Sequence, residues 1–305
     1  MNGISFYLNN PKNVGIALLI HFGRWLPDRL YLKALFPLKM GYKLNLREPQ
    51  TFAEKLQWLK LYDRKTIYHQ MVDKVDSKSL INSILQEDYT VPTIGVYDSF
   101  EQIEWDALPQ QFVLKATHDS GSFYIVKDKN KIDKQQCKKH LYLHWNKDLY
   151  NYTREWQYKG LKSRIIAEPL LVDSRYPYLR DFKFYCFNGE PKVFYITSDK
   201  GGNLPTRQDF FDIEGNHLEL EDATFPGNPV KCPELPTQLD KMISLARKLA
   251  KETYHLRVDF YEIDGRIYVG ELTLHEAAGF CAFKPDEWNY ILGEWIHLPI
   301  DHNDR

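Results

Sequence analysis

The alternation of apolar and polar positions divides the 305-residue chain into two regions of different character. Up to about Gln86 the spacing is helical. Thr51-Phe-Ala-Glu54 has the form of a capping box, in which the Thr and Glu side chains satisfy each other's backbone N–H groups, and it opens the stretch TFAEKLQWLKLYD. Phe52, Leu56 and Leu59 then recur at helical spacing on one face. A second helix is expected over Val72 to Leu85. Ahead of both lies the apolar run Val14 to Phe22, interrupted by His21. It is far shorter than the roughly 20 residues that span a bilayer, so it reads as an amphipathic helix resting on a membrane or on the core, the core being preferred.

Beyond Tyr89 strand-like runs appear. VPTIGVY reads as a strand, SFEQIEW as a helix, and QFVLKAT and FYIVKD as strands joined by the turn HDSGS. Ile132 to Trp145 reads as a helix with Leu141 on its apolar face. RIIAEPLLV is a strand that Pro169 should end or bulge. YLRDFKFYCFNGEPKVFYITS is a hairpin turning on Asn188-Gly189. Residues 203–236, rich in Pro, Gly and Asn, are expected to form a loop excursion. Leu235 to Thr253 is a helix with Leu239, Ile243, Ala246 and Ala250 on one face, followed by the hairpin LRVDFYEIDGRIYVGELTL. A helical cap, strands mixed with helices and then antiparallel hairpins make an α+β or α/β enzyme, not a bundle or a sandwich.

Composition narrows the partners. Lys plus Arg number 40 and Asp plus Glu 41, so no broad basic surface for nucleic acid is implied. With 43% hydrophobic residues the chain can fill one large core or two to three lobes. Cys137, Cys186, Cys232 and Cys281 lie far apart with no CxxC pair, which suits reduced core thiols better than a disulfide framework or a zinc site. The N-terminus does not read as a signal peptide, and a cytoplasmic location is expected.

The segment Arg257 to Thr273 carries the most chemistry. With a three-residue loop Ile263-Asp264-Gly265, and Gly265 in the left-handed position, Phe260 faces Tyr268 and Arg257 faces Glu271. Alternation then gathers Val258, Phe260, Tyr268 and Leu272 on an apolar face, with Arg257, Asp259, Val269, Glu271 and Thr273 on the other. A two-residue loop on Asp264-Gly265 would mix acids with core residues, so the longer loop is expected. Asp259 then lies diagonal to Glu271. Such a pair suits magnesium, completed by substrate phosphates. The same residues also suit an exposed Arg–Glu pair worth under about 1 kcal/mol. Lys115, inside an apolar strand, is costly to bury unless an anion pairs with it, and the turn His118 to Ser122 behind it offers N–H groups to phosphates. An edge strand whose Lys115 reaches water is the plainer alternative. Lys183 falls on the more polar face of RDFKFYCF, and Lys74 follows Asp73, a residue suited to cap the next helix.

In order, Asp73-Lys74, VLKATHDSGS, IIAEPLL, RDFKFY and RVDFYEIDGRIYVGELT resemble the ATP-grasp superfamily. LPQQFVLKATHDSGS, DFKFYCFNGEPKVFY and GELTLHEAAGF resemble its TupA-like family of polysaccharide and teichuronopeptide biosynthesis, over about residues 25–300. The resemblance implies a mainly helical region over 1–90, then two α+β lobes clamping ATP, 91–170 with a Gly/Ser flap and 171–305 with a magnesium-binding hairpin. It implies that Lys74, Lys115 and Lys183 meet the phosphates under a flap of Asp119, Ser120, Gly121 and Ser122. It makes Glu168, Pro169 and Leu171 part of a hinge that reads adenine through backbone groups, and turns Asp173 toward the ribose. Asp259 and Glu271 are the implied Mg2+ ligands. Thr273 stands where many ATP-grasp enzymes have Asn, which weakens the third ligand. Arg257 and Lys183 become the residues that stabilise charge in catalysis. The implied reaction activates a carboxylate, a sugar- or lipid-linked uronic acid or an amino acid on a polysaccharide, as an acyl phosphate for attack by an amine or amino acid. A peripheral contact with polysaccharide machinery stays open. Two rivals are a glycosyltransferase, against which the chain lacks Asp-x-Asp, and a non-catalytic ATP-grasp binding protein, against which Lys115, Asp259 and Glu271 are intact.

Overall fold

The computed structural model describes residues 11–119, 121–176, 178–198, 206–228 and 231–300. Three helices lead: α1 (Pro11–Phe22), α2 (Asp28–Met40) and α3 (Phe52–Tyr62). The capping box forms, with Glu54 N donating to Thr51 Oγ1 at 3.2 Å and Thr51 N to Glu54 Oε2 at 3.1 Å. Phe52, Leu56 and Leu59 are buried as the spacing predicts. Ile16 and Leu19 of α1 pack on a core made by α2 and Ala53, while Leu18 and Phe22 face outward. The core therefore takes only one face of the Val14 to Phe22 run.

The helix expected over Val72 to Leu85 is two helices, α4 (Ile67–Val72) and α5 (Asp76–Leu85). Asp73 breaks the run. It adopts extended backbone and turns its carboxylate onto the N–H groups of Val75 (2.8 Å) and Asp76 (3.1 Å), a local cap that competes with helix continuation.

The next strands are β1 (Gly95–Tyr97), β2 (Phe112–Ala116), β3 (Phe123–Val126) and β4 (Ile165–Pro169), in an antiparallel sheet of order β1-β4-β2-β3. β4 ends at Pro169, which has no N–H to extend the ladder. SFEQIEW forms two single 3-10 turns, 100–102 and 105–107, rather than a helix. The expected Ile132 to Trp145 helix shortens to α6 (Lys134–Leu141), because Asp133 caps the N–H groups of Gln135 and Gln136. Its Cys137 and Leu141 pack under the sheet against Phe112, Leu114 and Ile165. A short helix α7 (Tyr150–Thr153) precedes β4.

The second sheet holds β5 (Asp181–Phe187), β6 (Glu190–Ser198), β7 (Arg207–Asp212), β9 (His255–Ile263) and β10 (Arg266–Thr273), in the antiparallel order β10-β9-β5-β6-β7. Asn188 and Gly189 turn the β5–β6 hairpin with φ of 47° and 87°. Residues 203–236 are not all loop. β7 lies there and joins the sheet edge by burying Phe210 and Phe211 in the cores on its two faces, and β8 (Glu221–Asp222) pairs with β11 (Phe283–Lys284). Helix α8 (Leu239–Ala250) sets Met242, Leu245, Ala246 and Leu249 against Phe182, Phe184, Val258 and Phe260. Helices α3 and α9 (Glu287–Glu294) cover the other face at Tyr185, Phe187 and Phe210. A sheet buried on both faces needs apolar residues at nearly every position. Charge at Asp181, Lys183, Arg257 and Asp259 therefore interrupts the core and marks the site. All four cysteines are free, and among the described residues no helix is long and apolar enough to cross a membrane.

Candidate active site

The β9–β10 hairpin differs from expectation in its turn, and the difference makes the site. Its loop is the two residues Asp264 (φ 48°) and Gly265 (φ 80°). Tyr268 opposes Tyr261 and Val269 opposes Phe260, so Val269, not Tyr268, joins the core. Uncorrected, this register would carry Glu271 to the wrong face. Gly270 corrects it as a β-bulge, an extra residue that shifts the pairing by one. Beyond it Glu271 lies directly opposite Asp259, not diagonal to it, and Arg257 opposes Thr273 rather than Glu271. A Cβ there would stand 2.5 Å from Cε2 of Tyr261, so any larger residue would have to push that ring aside.

Asp259 is buried and accepts on both oxygens. Arg257 donates Nε to Oδ1 at 2.7 Å and Nη2 to Oδ2 at 2.9 Å, and Lys183 of the neighbouring strand β5 donates to Oδ2. Burial raises the Asp259 carboxyl, but Arg257 and Lys183 outweigh it and hold the group below the usual carboxylate range. Burial lowers the Lys183 ammonium, and Asp259 more than restores it. Glu271 is more open, with one contact to Arg257 Nη2 at 3.4 Å. Arg257 Nη1 meets a third acid, Glu276, at 2.5 Å. Thr273 lies two residues along from Glu271, half-buried.

Lys115 arrives from β2 of the other sheet, and Lys74 from the stretch between α4 and α5. Lys115 pairs with buried Glu168 at 2.6 Å, which answers how a lysine stands in an apolar strand. Lys78 of α5 holds the second oxygen of Glu168. Burial raises the Glu168 carboxyl, and Lys115 and Lys78 outweigh it, leaving it low. Half-buried Lys74 donates its backbone N–H to Thr117 O at 3.2 Å and its ammonium to Asp119 O, tying the helical region to the flap root. Burial lowers the Lys74 ammonium against the pull of Glu271 and Asp119, so the flap side and the metal-hairpin side share one electrostatic neighbourhood. Asp119 accepts from Ser122 Oγ, and Gly121 turns with φ 95°. Ser120 lies outside the described residues. Pro169 and Leu171 bound the crossing from β4 toward β5. Asp173 does not join the group, because both its oxygens lie 3.2 Å from Arg175.

Three further residues stand at the site whose side chains the sequence reading gave no role. Glu276 and Lys78 give no local signal, since only the fold brings them to Arg257 and Glu168. His118 was legible as a polar residue at the end of an apolar strand. It is buried with its ring edge-on to Trp145 at 5.6 Å between centroids, close to the His144 backbone, and it lines a cavity of about 190 Å³ with Trp145, Tyr158 and Leu161. Burial pushes its imidazole down against the pull of Asp119.

Two opposed carboxylates, one of them open, are a hard oxygen donor set of the kind Mg2+ takes when phosphates supply the remaining ligands. Among the described residues no cluster of three or more acids, His or Cys forms a self-sufficient metal cage. The residues thus fit a metal that comes with a nucleotide.

A search of the curated proteins returns no match. Among solved structures the chain is similar to a D-alanine–D-alanine ligase from Bacillus anthracis complexed with ATP, at 16% identity over 67% of this chain and 54% of that one, with a TM-score of 0.39. It is similar to D-alanine–D-alanine ligase from Helicobacter pylori, at 13% identity over 81% and 69%, TM-score 0.42. It is also similar to N5-carboxyaminoimidazole ribonucleotide synthetase from Thermus thermophilus, at 14% identity over 67% and 45%, TM-score 0.34. The chain spans about half the length of the first and third of these. Likenesses this remote leave the assignment to the sequence itself. Residues 54–297 match the family model described as TupA-like ATPgrasp, most of the chain, so the protein belongs to the TupA-like ATP-grasp family.

Proposed function

We propose that the protein is an ATP-dependent carboxylate–amine ligase working through an acyl phosphate. Its carboxylate would be a uronic acid, sugar- or lipid-linked, or an amino acid borne by a surface polysaccharide. The observation that carries this reading is the direct opposition of Asp259 and Glu271 across the Gly270 bulge, with Arg257 and Lys183 against them.

In this reading residues 91–170 and 171–305 are the lobes that close on ATP behind the helical region 1–90, and the reaction belongs to the cytoplasm. Asp259, Glu271 and Thr273 hold Mg2+, which when bound neutralises phosphate charge. Lys74, Lys115 and Lys183, with the N–H groups of Asp119 to Ser122, hold the phosphates. Lys115 and Lys183 each exchange a carboxylate for a phosphate oxygen. Glu168 to Leu171 form the hinge against adenine, where Pro169 offers only its C=O and Leu171 its N–H. Asp173 serves the ribose once Arg175 releases it.

The substrate carboxylate attacks the γ-phosphorus and ADP leaves. Arg257 stabilises the charge that develops. The amine, seated in the cavity beside His118, then attacks the acyl carbon. The C–N bond forms, the C–O bond to phosphate breaks, and the nitrogen gives its proton to neutral His118.

Phosphate release from ATP, with glucuronate or galacturonate and the twenty protein amino acids, tests the reading. Glu271→Gln should abolish release while the unfolding midpoint holds, and wild-type rates in that variant would sink the metal assignment. His118→Asn should slow the amine step about 100-fold, while acyl phosphate, trapped as a hydroxamate with hydroxylamine, still forms. Equal losses in both assays would remove His118 from the role of base.

A further inference from the structure

The α1–α2 hairpin ends in an apolar tip that the ligase reading does not use. Trp25 is 81% exposed, Phe22 68%, Leu30 55% and Leu18 53%, with Leu26 beside them. These are large apolar side chains within thirteen positions of sequence, and Leu18 lies one helical turn behind Phe22 on the same face. Scattered exposed apolar residues are ordinary, but five large ones gathered at one hairpin tip mark a contact surface.

Charge identifies what that surface meets. The chain as a whole is balanced, with a net charge of −1. Between residues 11 and 40 the basic residues Lys12, Arg24, Arg29 and Lys33 are exposed, and the sole acid is Asp28. Asp28 is turned inward, accepting from Arg64 Nη2 at 2.6 Å and from Tyr150 Oη, with Arg154 Nε 3.6 Å away. The acid is thus withdrawn from the tip, and among the described residues of this hairpin the exposed charges are cations. Arg24 lies over the Trp25 ring at 4.7 Å. Trp and Phe at the tip with Arg and Lys around them are the composition of a segment lying in a lipid headgroup region. There the rings take the acyl boundary, and long basic side chains reach up to phosphates.

We propose that this tip docks on an anionic membrane surface, with Phe22, Trp25, Leu26 and Leu30 inserted at the interface and Arg24, Arg29 and Lys33 against lipid phosphates. The inference stands apart from the ligase reading, since it uses no residue of the active site. Helix α1 is too short to span a bilayer, so the contact is peripheral and reversible.

Co-sedimentation of the full chain with extruded vesicles tests it. Vesicles of phosphatidylglycerol and phosphatidylcholine should bind the protein, and phosphatidylcholine alone should bind it at least about tenfold more weakly. Raising NaCl from 0.1 to 0.5 M should release most of it. Phe22→Glu with Trp25→Glu, and separately Arg24→Glu with Arg29→Glu, should each weaken binding by about tenfold or more. All four positions are exposed, so both variants should keep the wild-type unfolding midpoint, and Leu143→Glu, an exposed leucine elsewhere, should bind as wild type. Equal sedimentation with both vesicle types would overturn the proposal, as would binding indifferent to both double variants. A lipid-independent dimer abolished by Trp25→Glu would overturn it in favour of a second copy as the occupant.

Discussion

Asp259 illustrates why charge in a core strand is informative. Leaving it buried and unpaired would cost several kcal/mol, so its partners had to exist, and Arg257 and Lys183 are both within reach on β9 and β5. Lys60 poses the opposite case. It is fully buried on α3 and donates to the carbonyls of Thr153 (2.7 Å) and Ala278, with Phe280 beneath its ammonium. No acid lies within ion-pair distance among the described residues. Burial lowers its pKa from 10.5 to about 7, with Glu155 opposing. Between these two pH values the unfolded chain binds the proton that the folded chain has shed, so stability should rise as pH climbs from about 7 to about 10. Urea midpoints at pH 7 and 9 should separate for wild type and converge for Lys60→Met. Parallel behaviour of the two proteins would contradict a neutral Lys60. Ala278, which Lys60 holds, has a left-handed backbone (φ 53°) like Ala277 (φ 45°), and this turn begins at Glu276, the third acid on Arg257. A buried lysine on α3 thus fixes a strained turn beside the site.

At the scale of elements, the Gly270 bulge does most to build the active centre. Gly270→Val should lose about 1–3 kcal/mol, because the new side chain must displace Tyr261. It should also lose nucleotide-dependent stabilisation, because Glu271 can no longer oppose Asp259. Urea unfolding with and without MgATP checks both, and a variant that keeps its nucleotide response would show that the bulge is dispensable. The capping box of α3, the Asn188-Gly189 turn and the end of β4 at Pro169 were legible in sequence because each is decided by its own few residues. The hairpin loop was not. Its pattern could be read as a longer loop with no bulge or a shorter loop with one, and only packing of Val269 beneath the sheet separates them. Strand β7 was hidden for a related reason: its two core phenylalanines, Phe210 and Phe211, are adjacent and face opposite cores, so they mimic no single strand face. Asp73 was readable as a cap but not as the break between α4 and α5.

At the scale of the molecule, the candidate site draws on both sheets and on the helical region. Lys115 and Glu168 come from β2 and β4, Lys183, Asp259 and Glu271 from β5, β9 and β10, and Lys74 and Lys78 from around α5. Sequence order carried the resemblance to the TupA-like ATP-grasp family, and the family match bears it out. Contacts that join distant segments, such as Lys78 to Glu168 and Glu276 to Arg257, leave no trace in local pattern.

The most direct measurement is thermal unfolding with Mg2+ and a non-hydrolysable ATP analogue, set beside a panel of nucleotide sugars. At about 100 times its dissociation constant a ligand stabilises by about 2.7 kcal/mol, which for a chain of this size raises the midpoint by a few degrees, on the order of 4 °C. The expected result is that rise with the ATP analogue, and its loss in Lys115→Ala and Asp259→Asn. No rise with the ATP analogue, and a rise with a nucleotide sugar in its place, would contradict it.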